Sequence, residues 1–325
     1  MSPKQHANGR VVNNSVLGSF KSSILSERMG IRDIALSARV AVTGPFRRAR
    51  LRQLCERDCA PMYVPFYHRV ADTHPNGWTI SKSEFKRHVM HCKKHLEPVG
   101  LDEVQDRIVA NRCSRPTITF TFDDGYAENC EFAIPLLLEQ QIPTVYFVAI
   151  DFINEQRSFP HDVETGIDLP ANTPAEIREM SDQGIEIGLH TKTHVDFSTV
   201  SCPKIIRSEI IDGKDKLEQM IGRSVRYFAF PYGLPKQLTQ AAIEAVNEAG
   251  LIGFCSAFGA YNIPGRESFH IRRFHGDPEF SRFLNWLSFD QNKVDREPSV
   301  QYTLPSATAF VPTTQTPIAN LSAEV

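Results

Sequence analysis

Two apolar runs in this chain of 325 residues are each followed or ended by ionisable side chains, and this pattern constrains the fold more than any other feature. The run at 116–122 is β-branched and aromatic, which is typical of a buried strand, and Asp123 and Asp124 follow it directly. The run at 184–190 has the same character and ends in His190. Reactive groups at the carboxyl ends of separate strands predict a barrel of alternating strands and helices.

The residues at these two strand ends have the composition of a hydrolytic metal site. His194 lies four residues after His190 and can fold back toward it, so two imidazoles and one carboxylate could bind a divalent metal and leave positions open for water and substrate. The second carboxylate would serve as a base. Taken singly, Asp123 and Asp124 could form a turn or a helix cap, and each histidine could be an ordinary core or surface residue. Their joint occurrence predicts the metal site.

Between these runs the chain alternates patterns that predict helices with patterns that predict strands, as a barrel requires. Further strands are predicted at 144–150 and 251–256. A capping box at Thr173 and Glu176 marks the start of one helix. The predicted helices cover 83–96, 131–141, 174–183, 203–221, 238–249 and 278–287.

In this order and with this separation, the motifs resemble those of the polysaccharide deacetylase family, also called the NodB homology domain or carbohydrate esterase family 4. The resemblance spans about 61–289 and implies an α/β fold, an irregular (β/α)7 barrel. In that family the first aspartate of the pair is the general base, and the second binds the metal with two histidines. The resemblance therefore implies that Asp123 is the base and that Asp124, His190 and His194 bind the metal.

A third motif, Tyr-Phe-Ala-Phe-Pro-Tyr-Gly at 227–233, resembles the Arg-x-Pro-Tyr segment of the family. The resemblance implies that Pro231 lies in the wall of the substrate groove and that the backbone N–H of Tyr232 faces the oxyanion. Phe228 or Ala229 stands where many members carry an arginine that holds the base carboxylate. Another cation must therefore hold the base, or the base is less constrained.

Arg273 is our candidate for that cation. The run at 269–275, Phe-His-Ile-Arg-Arg-Phe-His, has the pattern of a strand, which places Ile271, Arg273 and His275 on one face and Arg272 on the other. The alternative is that Arg273 forms an ordinary ion pair at the surface, as many arginines do.

The run at 62–70 predicts an apolar strand that ends at His68, ahead of the aspartate pair. It resembles the Tyr-His-x-Val opening of the exopolysaccharide-type N-deacetylases of this family, and that resemblance implies that His68 is the general acid. Other members take the acid from a late Leu-x-x-His motif, of which this chain has no clean copy. His275 is the nearest substitute by position. A histidine at the end of a strand can also be a hydrogen-bonded structural residue.

The segment 151–172 is polar, has no clear period and follows a predicted strand, so we expect it to shape the substrate site. His161 and Asp162 within it could contact metal or sugar, or could belong to a plain surface loop. Four aromatic residues near the motifs could stack on sugar rings or simply pack in the core: Tyr126, Phe230, Tyr232 and Trp286.

A base and an acid together favour N-deacetylation over ester cleavage, because an amine is a poorer leaving group than an alcohol and needs the proton more. We therefore expect a metal-dependent hydrolase that removes N-acetyl groups from an amino-sugar glycan or glycoconjugate. An O-acetyl esterase of the xylan type and a non-catalytic glycan-binding member of the family are the alternatives. Zinc fits the ligand set best, and cobalt or nickel fit a similar mixed site.

Composition bounds the partners and the location. The formal net charge of -2 gives no electrostatic reason to expect nucleic acid, and no transmembrane segment is apparent. No apolar core of a secretory signal follows the basic start, which predicts cytoplasmic residence. The seven cysteines are odd in number and scattered, so disulfides are not demanded. Cys55 and Cys59 could bind a second metal together with Cys92, although a reduced, structural role is the simpler interpretation.

We expect the chain to divide into three parts. An N-terminal extension at 1–58 is partly helical or disordered, and the deacetylase domain occupies 59–290. The sequence at 291–325 is rich in Pro, Thr, Ser and Ala and loses its periodicity, which predicts a disordered tail.

Overall fold

The computed structural model describes residues 42–304 of the chain. The strands are β1 (Met62–Tyr63), β2 (Pro65–Tyr67), β3 (Arg69–Val70), β4 (Thr79–Ile80), β5 (Glu97–Pro98), β6 (Thr117–Ile118), β7 (Phe120–Phe122), β8 (Thr144–Val148), β9 (Glu186–Leu189), β10 (Tyr227–Ala229), β11 (Gly253–Cys255), β12 (His270–Ile271) and β13 (Phe274–His275). The helices are α1 (42–56), α2 (Lys82–His95), α3 (Leu101–Val109), α4 (Ala133–Glu139), α5 (Ile150–Glu155), α6 (Pro160–Val163), α7 (Pro174–Asp182), α8 (Pro203–Arg207), α9 (Gly213–Ile221), α10 (Gln240–Glu248), α11 (Phe280–Leu287) and α12 (Gln291–Asp295), with a 3-10 turn at Ala127–Glu131 and a π-helical turn at Ser208–Asp212. Within residues 42–304, no helix is both long enough and apolar enough to cross a membrane. The expected cytoplasmic location stays a prediction.

The central sheet has eight strands in the order β12-β11-β10-β9-β8-β7-β2-β13, and every neighbouring pair is parallel. Its two edge strands are nearly consecutive in the chain, since only residues 272 and 273 separate β12 from β13. The segment 270–275 is therefore one broken strand that pairs with β11 on one side and with β2 on the other. Counted in this way, seven strands form an irregular barrel, which confirms the predicted α/β barrel fold.

Strand β8 illustrates why these runs form barrel strands. Its residues are mostly β-branched or aromatic and all are buried, because parallel barrel strands are covered on both faces. Val145 and Phe147 belong to one apolar cluster, and Tyr146 and Val148 belong to another, as the two-residue period of a strand requires. Gly188 in the neighbouring β9 leaves room for the Phe147 ring, since a Cβ there would lie 2.3 Å from it.

Helix α3 closes the end of the barrel at which the strands begin. The side-chain amide of Gln105 donates to the carbonyl oxygens of Ile252 and Ser268, which lie just before β11 and β12, at 2.8 and 2.9 Å. Its oxygen accepts from the hydroxyl of Tyr227 at 2.8 Å. The opposite end of the barrel, where the strands end, is thus the end available for a site.

Most predicted elements occur within a few residues of their predicted bounds, but some segments differ. The predicted helix at 203–221 is interrupted by the π-helical turn. The segment 151–172 is more ordered than its polar sequence indicates, because it contains most of α5 and all of α6 and buries Phe159, Asp162 and Leu169.

The C-terminal segment also differs from its prediction. Residues 291–304 form α12 and then pack on the barrel, where the rings of Tyr302 and Phe254 lie 5.7 Å apart. The expectation of disorder is therefore wrong for these residues, because a few well-placed anchors hold a segment that has no periodic pattern. The remainder of the predicted tail and residues 1–41 lie outside the described residues.

Candidate active site

Three candidate metal ligands meet at the end of the barrel where the strands end. Asp124 follows β7, His190 follows β9, and His194 lies on the turn beyond it. The Nε2 atoms of His190 and His194 lie 3.4 and 3.3 Å from Oδ1 of Asp124. One ligand atom from each residue lies within 4.8 Å of the others, and residues 42–304 contain no second group of three or more such side chains.

This set of donors fits a divalent cation. Oδ1 of Asp124 is buried and makes no hydrogen bond with any residue of 42–304 although both imidazoles are close, so its lone pairs are available to an ion between the three groups. Nδ1 of His190 lies 2.8 Å from the carbonyl oxygen of Ala229, which assigns the ring proton to Nδ1 and leaves Nε2 as a lone pair directed at Asp124. One carboxylate and two imidazoles suit zinc and similar ions. The identity of the ion stays a prediction.

The turn that carries both histidines is held by Glu209, a residue that the sequence motifs did not single out. Its Oε2 accepts from the backbone N–H groups of Lys192 and Thr193 at 3.0 and 2.8 Å, and its Oε1 accepts from the Thr193 hydroxyl at 2.8 Å. Glu209 lies in the π-helical turn, a feature that often occurs at functional sites. An acidic residue before two isoleucines was the only signal of this role in the sequence.

Several residues at the same end of the barrel have strained backbone conformations. Asp124, Thr191, His194 and Tyr232 have φ angles of 77, 64, 58 and 60°, in the left-handed region that non-glycine residues rarely adopt. Gly125 follows with a φ of 99°, where a Cβ would lie 2.9 Å from a neighbouring side chain. Such conformations persist only when surrounding contacts impose them, and they are typical of functional sites.

Asp123 lies beside the ligand group and is held by Arg273. Nη1 and Nη2 of the guanidinium lie 2.7 and 2.8 Å from the two carboxylate oxygens, and Nε donates to the carbonyl oxygen of Ser256 at 2.8 Å. Both side chains are buried. Arg273 sits in the break between β12 and β13, so the broken strand directs it at the carboxylate. Burial rules out the alternative of a surface ion pair.

The charges of the site determine its protonation. Burial acts to raise the pKa of Asp123, but the Arg273 guanidinium holds that pKa below its ordinary value. Burial also acts to raise the pKa of Asp124, and His194 and His190 bring it well below its ordinary value. Burial acts to lower the pKa of His190, yet Asp123 and Asp124 raise it overall. The site therefore keeps both carboxylates ionised and favours positive charge beside them.

Two histidines are candidates for the acid, and their rings lie 6.3 Å apart. Burial lowers the pKa of His68, and the negative charges of Asp124 and Asp123 oppose this only in part. Nδ1 of His68 is buried and has no hydrogen-bond partner within the described range 42–304. Nδ1 of His275 lies 3.8 Å from Oδ1 of Asp277. His68 therefore lies within the electrostatic field of the aspartate pair.

The third motif lies against the ligand group. The ring of Tyr232 lies 5.3 Å from the ring of His194 and is 56% exposed, while Pro231 before it is buried. The backbone N–H of Tyr232 donates to no acceptor among residues 42–304. A backbone donor without a partner beside the ligand group is available to a substrate oxygen.

Three of the four aromatic residues considered for sugar stacking are engaged in packing. Tyr126 and Phe230 are 0% and 1% exposed, and Trp286 stacks on Phe274 with ring centroids 5.4 Å apart. The prediction that Tyr126 stacks on the substrate is therefore wrong, because its ring is enclosed on all sides. Its hydroxyl instead donates to Oδ2 of Asp162 at 2.7 Å, so it supports the segment that flanks the site.

Comparison with known proteins agrees with this geometry. Residues 110–252 match the family model described as polysaccharide deacetylase. YxkH of Bacillus subtilis (strain 168), whose naming as a polysaccharide deacetylase is provisional, is 25% identical over 191 residues, which cover 57% of this chain and 61% of that protein. The match thus spans less than two thirds of the relative's own length.

Two solved structures share the fold. IcaB from Ammonifex degensii superposes with a TM-score of 0.60 at 22% identity, covering 70% of this chain and 97% of that one. A de-N-acetylase from Aggregatibacter actinomycetemcomitans gives a TM-score of 0.59 at 21% identity, covering 70% of this chain and 99% of that one. At these identities the two matches establish the architecture alone.

The matched segment 110–252 contains the aspartate pair, both histidine ligands and Tyr232, but neither His68 nor Arg273. The roles expected for the latter two residues stay predictions. The family match, the motifs and the fold agree with one another. Residues 110–252 of this chain are therefore similar to a polysaccharide deacetylase domain.

Proposed function

We propose that this protein is a metal-dependent hydrolase that removes N-acetyl groups from an amino-sugar glycan or glycoconjugate. The observation that carries the proposal is the different environment of two adjacent aspartates. Asp123 is held in a bidentate ion pair by Arg273. Asp124 instead faces two imidazoles, and its buried Oδ1 has no hydrogen-bond partner in the described part of the chain. One carboxylate is thus oriented as a base, and the other is available as a ligand.

Asp124, His190 and His194 would hold the metal ion. When bound, a divalent ion supplies Lewis acidity at the acetyl carbonyl and lowers the pKa of a water molecule. Zinc is our first choice, because three mixed nitrogen and oxygen ligands are typical of catalytic zinc sites, and cobalt or nickel would suit the same donors.

Asp123 would remove a proton from the attacking water. Because Arg273 holds the pKa of Asp123 below its ordinary value, the carboxylate is ionised throughout the neutral pH range and can accept that proton. The guanidinium also orients both carboxylate oxygens. The base is therefore ordered before the substrate binds, which reduces the entropy lost on reaching the transition state.

Tyr232 and His68 would complete the reaction. The unpartnered N–H of Tyr232 is a donor for the negative charge that develops on the acetyl oxygen, and one such donor is worth about 3 kcal/mol. Pro231 would form the adjoining wall of the groove. His68 would protonate the leaving amine. His275 is the alternative acid.

Acetate release tests this proposal directly. Purified protein supplied with zinc is incubated with N-acetylglucosamine oligomers and with an acetylated xylan. We expect acetate mainly from the oligomers, and we expect Asp123→Asn to lower kcat at least about 100-fold, the effect of removing a general base. Asp290→Asn is the matched control, because Asp290 is a buried aspartate that pairs with Arg47. That variant should keep the wild-type kcat.

Four results would argue against parts of the proposal. Unchanged acetate release by Asp123→Asn would exclude that residue as the base. Faster release from xylan than from the amino-sugar oligomers would favour the O-acetyl esterase. Binding of oligomers without any acetate release, with zinc, cobalt or nickel present, would favour the non-catalytic glycan-binding protein. Activity that survives complete metal removal by a chelator would contradict the metal dependence.

A further inference from the structure

Trp78 lies beside the site but has no part in the reaction described above. Its side chain is 46% exposed, and its ring lies 6.0 Å from the ring of His68 and 5.6 Å from that of His161. The chain has two tryptophans. Trp286 donates its indole N–H to Asp277, whereas the indole N–H of Trp78 has no acceptor among the residues that the structure describes.

The loop that carries Trp78 is anchored by Arg69, which is completely buried. Nε and Nη2 of Arg69 pair with the carboxylate of Glu128, and Nη1 donates to the carbonyl oxygens of Thr73 and His74 at 2.9 and 3.0 Å. Burying an ion pair carries a large desolvation penalty, which is offset only when the geometry satisfies both charges. Here the pair, together with these loop carbonyls, fixes the shape of the loop before any ligand binds.

The backbone next to the indole is fixed as well. Oδ1 of Asn76 accepts from the N–H of Trp78 at 3.0 Å and from the hydroxyl of Thr79 at 2.7 Å, which holds the turn before β4. On the other side of the indole, Nε2 of His161 lies 2.9 Å from the buried hydroxyl of Tyr126. Trp78 is thus an exposed aromatic surface on rigid supports, next to the proposed acid.

We propose that Trp78 is the stacking surface for a second sugar ring, adjacent to the ring that loses its acetyl group. A pyranose with equatorial substituents presents a face of C–H groups, which the negative face of an indole attracts. The free indole N–H can donate to a sugar hydroxyl. A surface that is already ordered loses little entropy on binding. This inference rests on the proposed function, and it assigns as substrate an oligomer or polymer of amino sugars rather than a single sugar.

Kinetics on substrates of different length test the inference. For Trp78→Ala we expect kcat/KM on an N-acetylglucosamine tetramer to fall about tenfold or more, mainly through a higher KM, because an aromatic contact is worth on the order of one decade in affinity. Hydrolysis of 4-nitrophenyl acetate, which has no second ring, should stay within about twofold of wild type on the same grounds. Trp78→Tyr should recover most of the loss. Val109→Ala is the control, because Val109 is an exposed apolar residue on helix α3, which closes the far end of the barrel. This variant should hydrolyse both substrates at the wild-type rate.

A binding measurement separates this inference from the proposed function. Trp286→Phe leaves Trp78 as the sole tryptophan, so a change in its fluorescence on addition of the tetramer reports contact without turnover. A fluorescence change without acetate release would support the sugar site and contradict the deacetylase proposal. Acetate release with no fluorescence change, or an equal loss on tetramer and 4-nitrophenyl acetate in Trp78→Ala, would overturn the sugar site and leave the deacetylase proposal standing. The absence of both the fluorescence change and acetate release would overturn the sugar site and the deacetylase proposal.

Discussion

The most consequential single contact in this protein joins Asp123 and Arg273, two buried side chains of opposite charge. An ion pair out of contact with water is stable only when its geometry is nearly complete, and removal of one partner leaves a charge that the interior cannot solvate. In this chain the pair also sets the protonation of the proposed base. The same contact therefore bears on stability and on the pH dependence of activity.

Replacing Arg273 tests this double role. In Arg273→Met, the carboxylate loses the charge that lowers its pKa, so the pKa of Asp123 rises and the acidic limb of the kcat/KM profile moves to higher pH. The free energy of unfolding should fall by about 3 to 5 kcal/mol. Arg272→Met is the matched control, because Arg272 is the neighbouring residue and forms an ion pair with Glu297 instead of Asp123. The control should lose stability but keep the wild-type pH profile of kcat/KM. If Arg273→Met and Arg272→Met had the same pH profile, Arg273 would not set the pKa of Asp123.

At the scale of the elements, a neutral histidine on the inner face of helix α2 forms the contact with helix α11. His88 is buried, its ring stacks on Phe283 of α11 with centroids 3.8 Å apart, and its Nδ1 lies 3.1 Å from the hydroxyl of Tyr67. Burial, reinforced by the nearby charge of Arg87, lowers the pKa of His88 to about 3. The contact between α2 and α11 thus requires an uncharged imidazole at every pH near neutrality.

This requirement predicts a specific loss of stability in acid. The unfolded chain binds a proton at His88 below about pH 6.5, whereas the folded chain binds it only near pH 3, so stability falls between these values as pH decreases. Between pH 7.5 and 5 the contribution of this residue is about 2 kcal/mol. In His88→Phe, urea unfolding should show a pH dependence that is smaller by this amount. An unchanged pH dependence in His88→Phe would contradict this explanation.

At the scale of the whole molecule, the candidate metal site joins parts of the barrel that are not neighbours. Asp124 follows β7 and His190 follows β9, and β8 lies between these strands in the sheet. The unfolded chain cannot hold the three ligands together, because the first two lie 66 positions apart in the sequence. A cation at this site would bind the folded state preferentially and stabilise it by mass action.

Thermal unfolding in the presence of zinc checks this link between binding and folding. At a free zinc concentration about 100 times the dissociation constant, the stabilisation is about 2.7 kcal/mol, which corresponds to a rise of roughly 5 °C in Tm for a domain of this size. Asp124→Asn should lose most of the rise, while Asp290→Asn should retain it. A shift of equal size in both variants would indicate that zinc binds elsewhere.

Much of the fold and the ligand group could be predicted from local sequence. The strand ends at Asp123 and His190 were visible because β-branched and aromatic runs stop abruptly at polar residues with metal-binding side chains. Helix α7 was visible from its capping box, whose two reciprocal hydrogen bonds are local. The order of residues 291–304 was not visible, because single contacts between distant segments leave no periodic pattern.

The sequence by itself determined which groups stand at the ends of the strands, because chemical type and period are properties of neighbouring residues. Only the tertiary structure decided that Arg273 faces Asp123, since 150 positions separate them. The sequence does not give the distance between two charged residues in the folded chain. It also decided that Tyr126 is enclosed while Trp78 is exposed. Exposure depends on what the rest of the chain covers, and that is set only when the barrel closes.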